Sequence, residues 1–216
     1  MKSELWIEEK FKDIMGIRFK TEKTLFSGQS EFQSVDVVET KGYGKMLLND
    51  GLVMVTEKDE FVYHDMIAHI PLFIHPCPKN VLVIGGGDGG TVREVIRHPA
   101  VEKCTMVEID KMVVDACKEF IPLCSKDMNN PRVNLIIDDG VKFAKETKEK
   151  FDVILVDSTD PIGYAQPLFG EGFYQDIYNC LNDSGIVVSQ GESPWYQKEM
   201  QTKLLQKIEE LTLYII

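Results

Sequence analysis

The sequence predicts an α/β fold in which a small antiparallel β domain precedes a doubly wound parallel sheet. Two patterns carry this prediction. Up to about residue 59, short alternating runs are separated by turn residues, which is typical of hairpins. From residue 60 onward, continuous apolar runs alternate with segments of helical periodicity, which is typical of parallel strands joined by right-handed crossovers. We therefore divide the chain into a β-hairpin domain, residues 1–59, and an α/β domain, residues 60–216.

The N-terminal region contains three predicted strands and two predicted turns. Glycine and asparagine favour tight turns, and apolar residues flank these turns on both sides. The predicted strands are Ser34–Thr40, Met46–Asn49 and Leu52–Val55, and the predicted turns are Lys41–Lys45 and Asn49–Gly51. No strand is assigned before Ser34.

The second region begins with a helix and then alternates strands with helices. Apolar residues recur at helical spacing from Phe61 to Phe73, and Pro76 and Pro78 end that helix. The strands, mostly apolar runs as in buried parallel sheets, are predicted at Val81–Ile84, Cys104–Val107, Asn134–Ile137, Phe151–Val156 and Gly185–Ser189, with a sixth starting at Leu213. The helices are predicted at Thr91–Arg97, Lys111–Phe120 with Asp110 as N-cap, Val141–Thr147, Glu171–Leu181 and Glu199–Leu211.

The composition of the chain excludes some classes of function. Its 216 residues include 24 Lys and Arg and 35 Asp and Glu, a formal net charge of −11, whereas a nucleic-acid-binding protein is expected to be basic. The five cysteines include no CxxC pair, which predicts reduced thiols rather than disulfides or a thiolate metal site. No apolar run approaches the roughly 18 residues of a membrane span, and the N-terminus lacks a signal-peptide pattern. We therefore expect a cytoplasmic protein with neither nucleic acid nor membrane as its partner.

Acidic residues follow four successive predicted strands of the second region. In chain order they are Asp88 in the loop Gly85–Gly90, then Glu108, then Asp138 with Asp139, then Asp157 with Asp160. The carboxyl ends of parallel strands meet at one edge of a sheet, where ligands bind. Any one of these acids could instead be a helix N-cap, but the whole row favours a cationic ligand.

The glycine-rich loop predicts an adenosyl ligand. Glu108 lies 20 residues after Asp88 (108 − 88), a spacing that suits a carboxylate accepting hydrogen bonds from ribose hydroxyls. This pattern alone fits NAD, FAD or an adenosyl sulfonium. Asp88 stands where a pyrophosphate would lie and would repel it, which favours the sulfonium. Decarboxylated S-adenosylmethionine presents only an amine there, whereas S-adenosylmethionine also carries a carboxylate.

Asp157 and Asp160, three residues apart at a strand end, could form a metal site, an acid pair or a clamp for an amine. A metal site would want more convergent oxygen ligands, so we predict none. An alkylamine has a pKa of about 10, as lysine does, and must lose a proton before it can attack at pH 7. A carboxylate bonded to the amine can orient it and take that proton as the C–N bond forms.

These residues resemble those of a known family, the spermidine synthases or polyamine aminopropyltransferases. The resemblance covers essentially the whole chain, in ordered motifs. The motifs are Ser27–Gln33, Val37–Thr40, Leu48–Gly51, Asp59–Met66, His75–Pro76, Gly85–Gly90, Arg93–Glu94, Val107–Asp110, Asp157–Gly163 and Gln190–Glu192. The resemblance implies a Rossmann-like sheet of the S-adenosylmethionine methyltransferase type. It also implies aminopropyl transfer from decarboxylated S-adenosylmethionine, as co-substrate, to putrescine, without a prosthetic group.

The resemblance also implies a role for each matching residue. Asp157 resembles the general base, and Asp160 with Ser158 and Thr159 resembles the amine site. The other implied contacts are His64 and Asp88 to the transferred amine, Tyr63 and Gln190 to the putrescine channel, Gln33 and Glu108 to the thioadenosine, Asp139 and Gly140 to the adenine, and Gly85, Gly86, Gly87 and Tyr164 to the nucleoside. Assembly into a homodimer or homotetramer is implied as well, with the N-terminal β unit at the interface.

Two departures from the family pattern keep alternatives open. Tyr164 stands where the family usually has proline, and the family's chains continue beyond Ile216, which predicts that the last strands of the sheet are missing here. The alternatives are an S-adenosylmethionine-dependent methyltransferase on the same fold, or an inactive fragment that binds thioadenosine. Preference for intact over decarboxylated S-adenosylmethionine would favour the first, and binding without turnover would favour the second.

Overall fold

The computed structural model of the chain describes residues 4–11, 14–159, 167, 168, 170–191, 198, 201, 202, 205 and 206. Its N-terminal part is a five-stranded antiparallel sheet in which each strand pairs with the next along the chain. The strands are β1 (Leu5–Phe11), β2 (Met15–Gln29), β3 (Ser34–Thr40), β4 (Gly44–Asn49) and β5 (Leu52–Thr56). The predicted antiparallel sheet is confirmed, and β1 and β2 add a hairpin that the sequence pattern did not reveal.

A second sheet of five parallel strands follows, in the order β10-β9-β6-β7-β8. Its strands are β6 (Asn80–Gly85), β7 (Lys103–Glu108), β8 (Val133–Ile137), β9 (Phe151–Asp157) and β10 (Leu181–Ser189). The helices are α1 (Glu60–Ile74), α2 (Gly90–Ile96), α3 (Lys111–Phe120), α4 (Pro122–Ser125), α5 (Gly140–Glu146) and α6 (Glu171–Cys180). None of these described helices is both long and apolar enough to cross a membrane.

Helices cover both faces of the parallel sheet, as a doubly wound fold requires. On one face, Val81 and Val83 of β6 share a buried cluster with Leu72 of α1 and Val92 of α2. On the other face, Leu82 and Ile84 pack with residues of α5 and α6, among them the fully buried Tyr174. Alternate residues of one strand therefore enter opposite cores, which is why β6 is apolar along its length.

The antiparallel sheet packs on the α/β part through α3. Val35, Val37 and Leu47 of the sheet are buried in one cluster with Val113 and Cys117 of α3. α3 begins where predicted, because Asp110 caps it by accepting a hydrogen bond from the Met112 N–H at 2.9 Å. The antiparallel sheet therefore packs on a helix that begins directly after β7, next to the carboxyl ends of the parallel strands, where ligands bind in such folds.

The predicted and observed elements differ in a few places. β10 begins at Leu181 rather than Gly185, and its pairing with β9 shifts register between Leu181 and Ile186. The short helix α4 was not predicted. The predicted helix over 199–211 and the predicted strand from Leu213 fall largely or wholly outside the described residues.

Candidate active site

The candidate site lies where β6 stands between β7 and β9, the topological switch point of the sheet. There the Gly86 N–H donates a hydrogen bond to the backbone carbonyl of Asp157 at 2.8 Å. Gly85 has a φ of +84°, and a Cβ atom on it would lie 2.1 Å from the same carbonyl oxygen. Because only glycine tolerates both that conformation and that approach, the loop brings its backbone directly against the end of β9.

A cavity of about 710 Å³ opens at this edge, between the parallel sheet and the N-terminal strands. Every predicted site residue within the described part of the chain lines it: Gln33, Tyr63, His64, Gly85, Gly86, Gly87, Asp88, Glu108, Asp139, Gly140, Asp157, Ser158, Thr159 and Gln190. Asp160 and Tyr164, the two remaining predicted residues, lie outside the described residues. Residues of the N-terminal sheet that were not predicted, including Glu9, Ile17 and Asn49, also line the cavity.

Asp157, the predicted base, is held at the end of β9 by two hydroxyl groups. Its Oδ1 accepts a hydrogen bond from the Tyr63 hydroxyl at 2.7 Å, and its Oδ2 accepts one from the Thr91 hydroxyl at 2.6 Å. Burial raises the pKa of Asp157 above its ordinary value, and the nearby charge of Asp88 raises it further. A carboxylate with a raised pKa is a better proton acceptor than an ordinary surface aspartate.

His64 lies between two carboxylates, and its side chain is almost completely buried. Its Nδ1 lies 2.5 Å from Glu60 Oε2, and its Nε2 lies 3.3 Å from Asp88 Oδ1. Burial alone would lower the pKa of His64, but the charge and hydrogen bond of Asp88 outweigh it and raise the pKa to about 9. Burial would likewise raise the pKa of Asp88, but His64 and the Gly90 N–H hold it below its ordinary value. His64 is therefore an imidazolium that donates to both acids at neutral pH.

Arg93 anchors this group from α2. Its guanidinium donates two parallel hydrogen bonds to the Glu60 carboxylate, at 2.8 and 2.9 Å, and a third from Nε to Glu94 Oε1 at 2.7 Å. Arg93, Glu60 and Glu94 are all buried. Although burial would lower the pKa of Arg93, its bonds to both carboxylates raise it, so the guanidinium stays charged. The fixed fork holds Glu60 in one orientation, and Glu60 in turn holds the imidazolium.

Gly90, the first residue of α2, provides the space for the His64 ring. A Cβ atom on Gly90 would lie 2.2 Å from His64 Cε1 and 2.3 Å from Nδ1. We expect Gly90→Ala to cost about 1–3 kcal/mol of folding free energy by overpacking. It should also weaken binding of the amine that the sequence predicts as substrate, because His64 must move away from Asp88. Urea unfolding and the KM for the amine measure both effects.

Gly172 in α6 supplies the matched control for this substitution. It is also helical but, unlike Gly90, exposed. Outside its chain neighbours and its own helix backbone, no atom of the described residues lies within 4 Å of a Cβ placed on it. Gly172→Ala should leave the KM unchanged and stabilise the helix by up to about 1 kcal/mol. Equal effects of the two substitutions on KM would show that the His64 ring does not need the space at Gly90.

Glu108 ends β7 on the other side of the glycine-rich loop. Its carboxylate accepts a hydrogen bond from the Asp110 N–H at 2.8 Å, and Glu108 Oε2 lies near the backbone of Gly87. Burial raises the pKa of Glu108 to about 7, with smaller contributions from the charges of Asp157 and Asp88. An acceptor at this position can bond the hydroxyls of a bound ribose.

The raised pKa of Glu108 predicts a pH-dependent effect of Glu108→Gln on stability. The ordinary value is 4.5, and the folded-state value is about 7. The buried acid therefore stabilises the folded state below pH 4.5, and this contribution is lost as the pH rises through 7. Between pH 5 and pH 8, the free energy of unfolding of Glu108→Gln should rise relative to the natural protein by about 2–3 kcal/mol. Urea unfolding at both pH values tests this, and a difference that does not change with pH would contradict it.

Gln33 lines one end of the cavity, where Asp110 holds its side chain. The Gln33 side-chain N–H donates to Asp110 Oδ2 at 3.1 Å, and the Ser30 hydroxyl donates to the same oxygen at 2.7 Å. Asp110 thus caps α3 and also fixes the loop before β3. It was predicted only as a cap, yet it positions Gln33 at the cavity.

Asp139 and Gly140 lie at the start of α5, on the same side of the cavity. Asp139 caps the helix by accepting a hydrogen bond from the Val141 N–H at 2.8 Å. A Cβ atom on Gly140 would lie 2.5 Å from the Ile84 side chain, so glycine brings α5 close to β6. Asp138 instead pairs with Lys142 on the surface. Only Asp139, of these two acids, lines the cavity.

Within the described part of the chain, one group of possible metal ligands lies between α1 and α2, outside the cavity. Asp65, His69 and Glu94 place ligand atoms within 4.8 Å of one another. However, Glu94 already pairs with both Arg93 and Arg97, and Arg97 also lies 4.0 Å from Asp65. A guanidinium therefore already supplies the positive charge that these carboxylates would offer to a metal ion.

Family models match both parts of the chain. A spermine/spermidine synthase domain model matches residues 60–215, and a spermidine synthase tetramerisation domain model matches residues 5–57. Among curated proteins, the polyamine aminopropyltransferase of Bacillus subtilis is 47% identical over 209 residues, which is 97% of this chain and 76% of that protein. The enzyme of the same name from Methanocaldococcus jannaschii is 44% identical over 215 residues, which is 100% of this chain and 73% of that protein.

Solved structures show the same similarity. A spermidine synthase in complex with the transition-state analogue AdoDATO matches with a TM-score of 0.93 and 40% identity, over 96% of this chain and 71% of that one. The spermidine synthase of Thermotoga maritima matches with a TM-score of 0.92 and 39% identity, over 97% of this chain and 72% of that one.

Proposed function

The chain belongs to the spermine/spermidine synthase family of enzymes, and from this premise we propose that it transfers an aminopropyl group from decarboxylated S-adenosylmethionine to putrescine. The products are methylthioadenosine and spermidine. One observation carries the proposal: Asp88, Glu108 and Asp157 line a single cavity at the carboxyl edge of the sheet. A row of carboxylates that are buried or half-buried there suits a ligand with a sulfonium and several amines.

The nucleoside of the co-substrate lies between Glu108 and Asp139 in this proposal. Glu108 accepts hydrogen bonds from the ribose, and Gln33, fixed by Asp110, contacts the thioadenosine. The glycine-rich loop lies close to the sulfur, since Gly85 and Gly86 bring backbone rather than side chains to the cavity. Asp88 favours the decarboxylated co-substrate because a second carboxylate beside it would be repelled.

His64 balances the charge at Asp88. The imidazolium, whose Nε2 lies 3.3 Å from Asp88 Oδ1, neutralises most of the negative charge of Asp88 before an amine binds. The transferred aminopropyl group then meets a carboxylate whose orientation is already fixed. This arrangement binds a monocation without leaving an unpaired buried acid when the site is empty.

The transfer step needs one proton acceptor and no acid. The nitrogen of putrescine attacks the propyl carbon next to sulfur, the C–N bond forms and the C–S bond breaks. The sulfur keeps the electron pair and becomes a neutral thioether. The proton of the attacking nitrogen goes to Asp157, whose raised pKa makes it a competent base. Tyr63 and Gln190 line the cavity beside it, which places them along the path of the diamine in this proposal.

Turnover tests the proposal directly. The protein is incubated with decarboxylated S-adenosylmethionine and putrescine, and methylthioadenosine and spermidine are measured together by mass spectrometry. Equal amounts of the two products support the proposal. A parallel titration compares decarboxylated with intact S-adenosylmethionine. Tighter binding of the intact form, with no spermidine formed, would overturn the proposal in favour of methyl transfer.

We also propose that the chain assembles into a homo-oligomer through its N-terminal sheet. The match of residues 5–57 to the tetramerisation domain supports this. Leu5 and Trp6 of β1 point to opposite faces of the strand, are each about half exposed and do not line the cavity, which leaves an apolar side chain on either face for contact with a second copy. Light scattering should give a mass well above that of one chain, and the double substitution Leu5→Ser with Trp6→Ser should lower it. A monomeric mass for the unchanged protein would contradict the proposal.

A further inference from the structure

We propose that Thr91 is a positioning residue for the transfer reaction, holding the Asp157 carboxylate in its ionised form and in one orientation through a hydrogen bond to Oδ2. This inference rests on the proposed role of Asp157 as the base. The family resemblance gives no role to Thr91. It stands immediately after the glycine-rich loop, in the first turn of α2.

The geometry assigns the direction of the hydrogen bond. Thr91 Oγ1 lies 2.6 Å from Asp157 Oδ2, and an ionised carboxylate can only accept, so the threonine hydroxyl donates. The other oxygen of Asp157 accepts from Tyr63, and its backbone carbonyl accepts from Gly86. The carboxylate is therefore held from α1 and from α2, and the backbone of the same residue is held from the loop after β6.

The two hydroxyl donors are not equivalent. Tyr63 is 39% exposed at the cavity, whereas Thr91 is 0% exposed. An amine entering the cavity can contact Tyr63 and compete for its hydroxyl. It cannot reach Thr91, which is covered by protein on every side. The bond to Oδ2 is therefore the constant one, and it leaves Oδ1 as the oxygen whose partner can change during the reaction.

The charges around Asp157 explain why a constant donor matters. Burial raises the pKa of Asp157, and Asp88 faces it with like charge, which raises the pKa further. Against these, His64 contributes a positive charge, and Thr91 and Tyr63 contribute hydrogen bonds that lower the pKa. Removing the Thr91 hydroxyl takes away one donor to a buried carboxylate, and a greater fraction of Asp157 is then protonated at neutral pH.

Thr91→Val tests the inference because valine has nearly the shape of threonine and no hydroxyl. We expect the acid limb of the kcat/KM profile to shift upward by about one pH unit, since a hydrogen bond to a charged group contributes about that much. The KM for decarboxylated S-adenosylmethionine at high pH should stay unchanged. Thr91→Ser restores the hydroxyl and should return the profile to that of the natural protein.

Thr105→Val is the matched control. Thr105 in β7 is also 0% exposed, and its Oγ1 has no hydrogen-bond partner among the described residues. The control should leave the pH profile where it was. An unshifted profile for Thr91→Val, or the same shift for Thr105→Val, would overturn the inference.

A second measurement separates this inference from the proposed function. Carbon-13 NMR of labelled aspartate carboxyl groups, assigned with Asp157→Asn, gives the pKa of Asp157 without turnover. That pKa should rise in Thr91→Val and return in Thr91→Ser even if the protein makes no spermidine. An Asp157 pKa that is the same in all three proteins would refute the role of Thr91, whereas absent turnover with the expected shift would refute only the transfer reaction.

Discussion

Asp157→Asn will lower kcat for aminopropyl transfer by about 10²- to 10⁴-fold, the range typical of a removed general base. Asparagine keeps the size of the side chain and can still hydrogen-bond to Tyr63 and Thr91, but it cannot take a proton from the attacking amine. Because the proposed base acts on the amine during bond formation, kcat should fall far more than the affinity for methylthioadenosine. Single-turnover rates and a binding titration measure the two quantities.

The stability of the same variant distinguishes lost chemistry from lost folding. Burial raises the pKa of Asp157, so its ionised form destabilises the folded state relative to a neutral side chain. Asp157→Asn should therefore unfold at the same urea concentration as the natural protein or at a higher one. If the variant were inactive and also less stable, unfolding could explain the loss of activity. That result would contradict the expectation that the ionised carboxylate of Asp157 destabilises the folded state.

Asp138→Asn is the control for the loss of an acid at this edge of the sheet. Asp138 follows β8, but it pairs with Lys142 and does not line the cavity. Its substitution should leave kcat within about twofold, because Asp138 lies outside the cavity. It should also change stability little, since an exposed ion pair contributes about 1 kcal/mol or less. Full activity of Asp157→Asn at saturating substrate would show that another group accepts the proton.

The parallel sheet was predictable because its strands are buried on both faces. Val81–Ile84 and Phe151–Val156 are continuous apolar runs, and β6 and β9 cover them with one or two further residues. Acids at strand ends then identified the cavity, because the topology of such a sheet fixes where those ends meet. All the predicted site residues that the structure describes line this one cavity.

The N-terminal hairpin was missed for a physical reason. β2 is fifteen residues long, mostly exposed, and its pairing with β3 shifts register twice, between Thr21 and Lys23 and between Thr24 and Phe26. Each shift moves the alternation of the strand to the opposite face, so no single period of two runs along it. A pattern search that assumes one register cannot find such a strand.

The supporting residues of the site were missed because their roles depend on contacts between helices. Thr91, Arg93 and Glu60 reach Asp157 and His64 only after α1 and α2 pack together. One signal was present: Glu60 and His64 are four residues apart, on the same side of a helix. The spacing indicates contact between the two side chains, but the bidentate bond of Arg93 to Glu60 spans 33 residues and has no local pattern.

Arg93→Met should cost about 3–5 kcal/mol of folding free energy, the second large effect that we predict. Methionine fills much of the volume of arginine but leaves the buried carboxylates of Glu60 and Glu94 without their shared guanidinium. The substitution also frees Glu60, so the His64 imidazolium loses its fixed partner and the KM for the amine should rise. Urea unfolding and steady-state kinetics measure these two results.

Arg97→Met tests whether the expected loss of stability in Arg93→Met depends on the burial of the ion pair or only on the loss of a positive charge. Arg97 pairs with the same Glu94, but its side chain is 63% exposed, against 8% for Arg93. Solvent screens the exposed pair, so its loss should cost less than about 1 kcal/mol. Equal losses for the two arginines would mean that the buried fork contributes no more than a surface ion pair.

Neutralising Glu60 in the Arg93→Met variant shows what causes the large expected decrease in the free energy of unfolding of that variant. If an unpaired buried charge causes most of the loss, then Glu60→Gln together with Arg93→Met should be more stable than Arg93→Met alone. If lost packing of the arginine side chain causes it, the second substitution should lower stability further. The sign of that change decides between the two causes, and we expect recovery, because Glu60 is buried and its remaining partner His64 already shares its positive charge with Asp88.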